Sequence, residues 1–327
     1  MPAIQVHELV KRYGELEAVA GIDFEVAAGE TFGFLGPNGA GKTTTIGMLC
    51  TLVDPTAGSA LVAGHDVMRE RDAVRMNIGL VFQDTTLDGY LTAEQNLRFH
   101  AELYGVPRAA FAERARQVLD MVGLWERRTS LVATYSGGMK RRLEIARGLL
   151  HSPRVLFLDE PTVGLDPQTR SSIWAYLREL RRREEVTIFL TTHYMDEAEN
   201  CDRIAIIDHG RIVVCDSPEA LKASVGKDRV QIRTADDEAA IRELGERFDL
   251  EATIAEGMVT FAVAGGESFV PRLFAELGVP IQAVNLARPS LDDVFMAYTG
   301  TTIRDAEASQ AERARANPMM KSAGRRR

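Results

Sequence analysis

Cysteine and long apolar runs are scarce in this sequence of 327 residues, and its 39 Lys and Arg residues are outnumbered by 47 Asp and Glu residues. The three cysteines (Cys50, Cys201 and Cys215) are scattered without metal-binding spacing, which favours buried or idle thiols in a reducing compartment. No stretch approaches the roughly 20 consecutive apolar residues that a membrane-spanning helix needs. The N-terminus lacks a basic segment followed by an apolar one, so we expect no secretory signal.

The overall composition is that of an ordinary soluble globular protein, with 45% apolar and 26% charged residues. The length predicts one main domain and an accessory one. The net charge of -8 argues against nucleic acid as the main ligand, because nucleic-acid binding depends on Lys and Arg neutralising phosphates.

The pattern along the first two thirds of the chain predicts an α/β domain. Residues 1–35 show short alternating β-runs, and residues 84–150 are helical in pattern, with a capping box at residues 92–95 and a helix starting at Ser136. Apolar β-runs and helical stretches then alternate from residue 155 to residue 207. Such alternation predicts a mostly parallel sheet with helices packed on it, carrying a helical insert at residues 84–150.

A glycine-rich loop follows the strand predicted at residues 31–35 and precedes a predicted helix. The loop fits the pattern G-x-x-x-x-G-K-[ST], and its residues are Gly36, Pro37, Asn38, Gly39, Ala40, Gly41, Lys42 and Thr43, with Thr44 following. The glycines permit tight turns, so backbone N–H groups can surround phosphate oxygens at the positive end of the helix. We expect Lys42 to contact the β- and γ-phosphates of a nucleoside triphosphate and Thr43 to bind Mg²⁺ through its hydroxyl oxygen.

Two adjacent acids, Asp159 and Glu160, end the apolar strand predicted at residues 155–158. Open α/β sheets bind their ligands at the carboxyl ends of the strands. We expect Asp159 to be an outer ligand of Mg²⁺ and Glu160 to be the catalytic base that polarises an attacking water. The alternative is a pair of surface acids that close a strand, and the presence of Lys42 favours the catalytic interpretation.

Gln83 and His193 also come directly after predicted strands. Gln83 stands at the start of the helical insert, where it could bind Mg²⁺ or the attacking water and report the state of the nucleotide to the insert. We expect His193 to contact the γ-phosphate, although a lone histidine is more often structural. Asp166, in a loop after the acid pair, is a plausible dimer contact.

Tyr13 lies between two early strands. An aromatic ring at this position could stack on adenine, a type of contact that contributes about 1–3 kcal/mol per base. The alternative is an ordinary half-buried tyrosine.

A smaller unit is predicted after residue 226. Its strands and helices follow the order βαββαβ, which is typical of a ferredoxin-like α+β sandwich. We therefore divide the chain into residues 1–225, an accessory domain at residues 226–303 and a disordered tail at residues 304–327, which ends in three arginines.

A second glycine-rich element, the signature segment (residues 135–139), lies between the loop and the acids; it consists of Tyr135, Ser136, Gly137, Gly138 and Met139. Seven elements in this order resemble the ATP-binding subunit of an ATP-binding cassette (ABC) transporter over roughly residues 1–220. The elements are Tyr13, residues 36–43, Gln83, residues 136–138, residues 159–160, Asp166 and His193. Residues 135–143, 191–199 and 289–295 are similar to the daunorubicin-resistance type of exporter ATPase.

The resemblance implies a P-loop NTPase fold of the ABC cassette type, with ATP and Mg²⁺ as cofactors. It also implies a homodimer in which each ATP lies between Lys42 of one chain and Ser136, Gly137 and Gly138 of the other. Hydrolysis assisted by Glu160 would open the dimer. The groove around the helical insert would pass this motion to a separate transmembrane permease, so the chain would be peripheral on the cytoplasmic face, at the inner leaflet.

Tyr135 and Met139 depart from the pattern of the family, where many members have Leu and Gln. Met139 cannot donate a hydrogen bond to a ribose, so we expect weaker discrimination between ATP and GTP. Export of a drug, a lipid or another apolar compound is the leading hypothesis. The alternatives are an importer ATPase and a non-transport ABC ATPase acting on nucleic acid or ribosomes. The accessory domain could be regulatory, could cover a hydrophobic edge or, as we favour, could support the dimer.

Overall fold

The computed structural model of the protein describes residues 2–255 and 257–300. These residues form two compact units, residues 2–217 and residues 218–300. The tail predicted at residues 304–327 lies outside the described residues. No helix within the described ranges combines the length and the apolar character that a membrane span requires.

The first unit contains ten strands and seven α-helices among its described residues, with 3-10 turns at Trp125–Arg127 and Val132–Thr134. In chain order they are β1 (Pro2–Tyr13), β2 (Leu16–Ala27), β3 (Thr31–Leu35), α1 (Lys42–Leu49), β4 (Ala57–Val62), β5 (His65–Asp66), α2 (Arg71–Asn77), β6 (Ile78–Val81), α3 (Ala93–Leu103), α4 (Arg108–Met121), α5 (Gly137–Leu149), β7 (Val155–Asp159), α6 (Pro167–Glu184), β8 (Thr187–Thr192), α7 (Met195–Ala198), β9 (Arg203–Asp208) and β10 (Arg211–Asp216).

The larger sheet has six strands in the order β10-β9-β3-β8-β7-β6. Its neighbours are parallel from β9 to β6, and β10 pairs antiparallel at the edge. Every residue of β3, β7 and β8 is buried, as the apolar runs of a parallel sheet require. The predicted parallel α/β sheet is therefore confirmed, and the carboxyl ends of β3, β7 and β8 lie side by side.

The smaller sheet is antiparallel, in the order β2-β1-β4-β5. The sequence predicted short β-runs in this region, whereas β1 and β2 are 12 residues long each. Their pairing is interrupted by register shifts, for example between Val6 and Leu9. A bulge of this kind breaks the alternation of buried and exposed residues, which explains why the sequence showed several short runs instead of two long strands.

A cluster of aromatic rings joins the two sheets. Phe24 of β2 lies 5.6 Å from Phe32, 5.5 Å from Phe34 and 6.0 Å from Phe189, measured between ring centroids. Phe157 of β7 lies 5.5 Å from Phe189. Four of its five rings belong to β3, β7 and β8, so the cluster packs on the strands whose ends carry the glycine-rich loop and the acid pair.

The predicted helical insert is also confirmed. Thr92 caps α3, and the capping box closes in both directions: Thr92 Oγ1 accepts from the backbone N–H of Gln95 at 3.2 Å, and Gln95 Oε1 accepts from the N–H of Thr92 at 2.8 Å. Ser136 is the N-cap of α5. The signature segment therefore leads directly into a helix.

The second unit has a four-stranded antiparallel sheet in the order β12-β13-β11-β14. Its elements are α8 (Pro218–Val225), β11 (Asp228–Thr234), α9 (Asp237–Phe248), β12 (Ala252–Ala255), β13 (Met258–Val263), α10 (Gly266–Glu276), β14 (Ile281–Ala287) and α11 (Leu291–Thr299). The order from β11 to β14 is βαββαβ, which confirms the predicted ferredoxin-like arrangement. Two flanking helices, α8 and α11, were not predicted and pack against each other.

The aromatic cluster predicts a large effect of Phe189→Ala on stability. Removal of this buried ring leaves a cavity among four other rings, so we expect the free energy of unfolding to fall by about 3–5 kcal/mol. Chemical denaturation followed by tryptophan fluorescence measures it. Phe99→Ala is the control, because Phe99 is 63% exposed and its loss should change stability by about 0.5 kcal/mol at most. Equal losses for the two variants would contradict the assignment of the core.

Candidate active site

The glycine-rich loop connects β3 to the first residue of α1. Gly39 and Gly41 have φ angles of 79° and 110°, a region that favours glycine. A Cβ atom on Gly41 would lie 2.5 Å from the carbonyl oxygen of Ala18, and one on Gly36 would lie 2.3 Å from that of Ile207. One side of the loop therefore packs tightly against Ala18 and Ile207. On the other side Asn38 and Gly39 are exposed.

Lys42 is the first residue of α1, and its side chain is buried inside the loop. Its Nζ donates to the carbonyl oxygens of Gly36 at 2.7 Å and Pro37 at 3.1 Å. The same Nζ lies 3.2 Å from Glu160 Oε1. One ammonium group thus links the loop after β3 to the acid after β7, at the end of a helix where anions bind favourably.

Asp159 is buried at the end of β7, beside hydroxyl groups from two other elements. Its Oδ1 accepts from Thr43 Oγ1 at 3.3 Å and also from Thr191 Oγ1 of β8. The parallel register explains the second contact, because Asp159 pairs with Thr191. A carboxylate and hydroxyl oxygens are the ligand types that Mg²⁺ prefers. These residues therefore fit a magnesium ion, and Thr191 was not identified from the sequence.

Glu160 has a φ angle of 46°, which is uncommon for a residue other than glycine. Its backbone N–H donates to Thr191 Oγ1 at 3.0 Å. Its carboxylate lies between Lys42 and His193, with Oε2 3.3 Å from His193 Nδ1. Burial raises the pKa of Glu160, but His193 and the Lys42 ammonium outweigh burial and hold the pKa below its ordinary value. The carboxylate is therefore ionised at neutral pH, the state in which it could act as a general base.

Gln83 follows β6 by two residues, and its side chain is exposed. Within the described part of the chain no hydrogen bond joins Gln83 to Thr43 or Asp159. Its predicted contacts with Mg²⁺ and the attacking water stay predictions.

The signature segment presents Ser136 and Gly137 to solvent at the start of α5. Ser136 Oγ accepts from the N–H of Met139 at 3.3 Å. A Cβ atom on Gly138 would lie 2.4 Å from Thr169 Cγ2, so this glycine is required by packing inside the chain. Tyr135 is buried, so Ser136 and Gly137 are the exposed residues of this segment.

Tyr135 has an internal role that the sequence did not reveal. Its hydroxyl donates to the carbonyl oxygen of Arg127 at 2.7 Å, and burial raises its pKa. The ring anchors the start of the signature segment to the helical insert.

Asp166 caps α6 at the edge of the same surface. Its two carboxylate oxygens accept from the N–H of Thr169 at 3.0 Å and from Thr169 Oγ1 at 2.6 Å. These bonds lower the pKa of Asp166. Because Thr169 also meets Gly138, the loop of Asp166 and the signature segment lie next to each other in one chain.

Tyr13 ends β1 and is 48% exposed. The Lys11 Nζ lies 4.8 Å from the centre of its ring. The ring is therefore outside the apolar core, and the stacking of adenine on it stays a prediction.

Three buried charged residues near the site were not identified from the sequence. Arg141 and Glu144 lie in α5, and Glu197 of α7 accepts from the hydroxyl of Thr162, two residues after Glu160. Burial raises the pKa of Glu197. The available signal in α5 was a pair of opposite charges spaced i, i+3, in which Glu144 stands between the apolar residues Leu143 and Ile145.

Comparisons with known proteins agree with this geometry. The family model described as ABC transporter matches residues 19–163, and the model described as ATP-binding protein DrrA1-3-like, C-terminal domain, matches residues 217–299. The chain is 41% identical over 319 residues to the daunorubicin/doxorubicin resistance ATP-binding protein DrrA of Streptomyces peucetius, covering 94% of this chain and 96% of that protein. The chain belongs to the ABC transporter ATP-binding family, and it is an ATPase.

Two solved structures show the same fold. One is cbiO1 from Clostridium perfringens, part of the ABC transporter complex cbiONQ, with a TM-score of 0.64 and 28% identity over 76% of this chain and 96% of that one. The other is the dimeric structure of MJ0796, a bacterial ABC transporter cassette, with a TM-score of 0.60 and 26% identity over 65% of this chain and 98% of that one. The predicted ABC cassette fold is confirmed.

The lowered pKa of Glu160 predicts how Glu160→Gln changes stability with pH. The ionised carboxylate stabilises the fold above the pKa of an unfolded glutamate, about 4.3. That stabilisation is lost as the pH falls through the lower pKa of the folded chain. The difference in the free energy of unfolding between the wild type and Glu160→Gln should therefore shrink as the pH falls below about 4.3.

Urea denaturation at a series of pH values measures this difference. Glu126→Gln, at an exposed position, serves as the matched control and should show a smaller dependence on pH. A wild-type advantage over Glu160→Gln that grows as the pH falls would contradict the assigned electrostatics.

Proposed function

We propose that this chain hydrolyses ATP to drive export of a drug, a lipid or another apolar compound through a separate transmembrane permease. The observation that carries the catalytic part is the contact of the buried Lys42 and Glu160 with each other and with the half-buried His193, at adjacent strand ends. The outward direction of transport and the class of the cargo are supported by the similarity to a daunorubicin/doxorubicin resistance protein over nearly the whole chain.

In this proposal Glu160 is the general base. Its carboxylate is ionised and held by Lys42 and His193, so it can accept a proton from a water that attacks the γ-phosphate. Lys42 exchanges its contacts with the loop carbonyls for the β- and γ-phosphates, and His193 contacts the γ-phosphate. Tyr13 stacks on the adenine, and residues 36–44 surround the phosphates.

Thr43, Asp159 and Gln83 would hold the magnesium ion. Mg²⁺ neutralises charge on the phosphate oxygens when it is bound. The hydroxyl of Thr43 and the carboxylate of Asp159 are within 3.3 Å of each other, which supports a shared oxygen-ligand site. The pair also aligns the end of β7 with the start of α1.

We further propose that the working unit is a homodimer with two shared sites. Ser136 and Gly137 are exposed at the start of α5, where they can meet the γ-phosphate of ATP held by a partner. Asp166 lies beside them at the same surface. A dimeric cassette among the similar structures supports this arrangement.

The permease would dock in a groove beside β6 and the helical insert. This groove has a volume of about 480 Å³ and is lined in part by Leu52, Phe82, Phe99 and Leu103, all of which are exposed. An apolar surface of this kind suits a hydrophobic partner segment. Docking there places the chain as a peripheral subunit on the cytoplasmic face of the membrane, at the inner leaflet.

The catalytic assignments predict opposite behaviour for two variants. Glu160→Gln should keep ATP binding but lose hydrolysis by at least about 100-fold, because a positioned base contributes roughly 10²–10⁴-fold. It should also accumulate as an ATP-bound dimer. Lys42→Ala should instead lose ATP binding and remain monomeric. Phosphate release, equilibrium binding of labelled ATP and light scattering distinguish these results. Normal turnover by Glu160→Gln would show that another group is the base.

Export predicts a phenotype that depends on hydrolysis. Cells that express this chain together with its permease should accumulate less daunorubicin than cells with the permease alone. Glu160→Gln should abolish the difference, because ATP binding without hydrolysis cannot complete the cycle. Intracellular drug fluorescence gives the measurement. If the wild type and Glu160→Gln lower accumulation equally, hydrolysis by this chain does not drive export.

A further inference from the structure

The guanidinium of Arg141 holds the backbone on both sides of the catalytic base. Arg141 is buried in α5, and its Nη2 donates to the carbonyl oxygen of Asp159 at 3.0 Å. Its Nε donates to the carbonyl oxygen of Pro161 at 2.6 Å. These two carbonyls belong to the residues immediately before and after Glu160. The position of the base therefore depends on a side chain of α5.

The same pair of helix residues also holds the segment that contains Gln83. Nη1 of Arg141 donates to the carbonyl oxygen of Phe82, the residue before Gln83. Glu144 Oε1 accepts from the backbone N–H of Thr86 at 2.8 Å, three residues after Gln83. Gln83 is thus fixed between two backbone contacts that both come from one face of α5.

Arg141 and Glu144 form a single buried unit. Nη1 of Arg141 lies 3.3 Å from Glu144 Oε2, and the two side chains are 7% and 1% exposed. Burial lowers the pKa of Arg141, and Glu144 opposes this effect. The planar guanidinium can donate to several carbonyls in fixed directions, which the single ammonium of a lysine cannot reproduce. This arrangement requires arginine.

We propose that Arg141 and Glu144 are positioning residues that couple the two ATP sites of the dimer. This inference rests on the proposed function. The helix α5 starts at Ser136, which meets the ATP held by the partner, while Arg141 fixes Glu160 in the site of its own chain. A shift of α5 when the signature segment engages ATP therefore moves Glu160 and Gln83 together, so that occupation of one site organises the base of the other.

A purely structural role is the competing explanation, because breaking a buried ion pair destabilises a protein. Arg142, the next residue along α5, separates the two explanations. It donates to the carbonyl oxygen of Val122 and to the hydroxyl of Tyr176, both at 3.0 Å. Arg142 therefore stabilises α5 within the chain without contacting the backbone around Glu160. Arg142→Lys is the matched control for Arg141→Lys.

The experiment measures ATP hydrolysis by the full chain as a function of ATP concentration. For Arg141→Lys we expect kcat to fall by up to about 100-fold, the loss that a displacement of about 1 Å at a reacting group can cause. KM for ATP should change by less than about threefold, because the loop and Lys42 are untouched. The Hill coefficient should fall toward unity. Arg142→Lys should keep the wild-type kcat and Hill coefficient.

Glu144→Gln provides a second, milder variant. Its amide oxygen still accepts from Thr86, but the charge that balances Arg141 is lost. We expect a smaller loss of kcat in the same direction, with a lower Hill coefficient. If circular dichroism shows that Arg141→Lys does not fold, the kcat and the Hill coefficient of Glu144→Gln test the proposal instead.

Two results would overturn the proposal. One is a wild-type kcat and Hill coefficient in folded Arg141→Lys, and the other is an equal loss in Arg142→Lys, which would indicate general weakening of α5. If the proposed function is wrong, Glu160→Gln hydrolyses ATP normally. The Hill coefficients of the Arg141 and Arg142 variants then still measure the coupling between the two ATP sites.

Discussion

The buried ion pair between Lys42 and Glu160 is the interaction on which the arrangement of the site depends. A buried ammonium or carboxylate is costly without a partner, and these two groups lie 3.2 Å apart with little exposure. Lys42 comes from the loop after β3, and Glu160 follows β7. The pair can form only if β3, β8 and β7 lie side by side and parallel. The order of the strands therefore determines which charged groups meet in the site.

The chemical groups of the site are buried, whereas the groups proposed to meet a second chain are exposed. Glu160 and Asp159 are buried behind the loop, but Ser136 and Gly137 face solvent at the start of α5. A single chain therefore buries one set of the groups proposed to act on phosphate and exposes the other set. This division is the physical basis of the proposal that a dimer completes the site. The buried unit of Arg141 and Glu144 spans the distance between the two halves.

Several parts of the fold followed from local patterns. The loop at residues 36–43 was predicted because its glycines, Lys42 and the flanking strand and helix are contiguous in the chain. The capping box at Thr92 and the order βαββαβ were predicted for the same reason, since turn chemistry and periodicity act over a few residues. One local element was missed: β10 pairs with β9 across a two-residue turn. A register shift between Ile212 and Val214 breaks the alternation of its apolar run.

The sequence by itself determined which residues could do phosphate chemistry, because the residue types and their spacing specify a phosphate loop, an acid pair and a second glycine segment. Tertiary structure alone decided that Thr191 meets Asp159, that Thr169 excludes a side chain at Gly138, and that Arg141 holds the backbone around Glu160. Each of these contacts joins segments far apart in the chain. Their geometry depends on sheet register and helix packing, which no local pattern encodes.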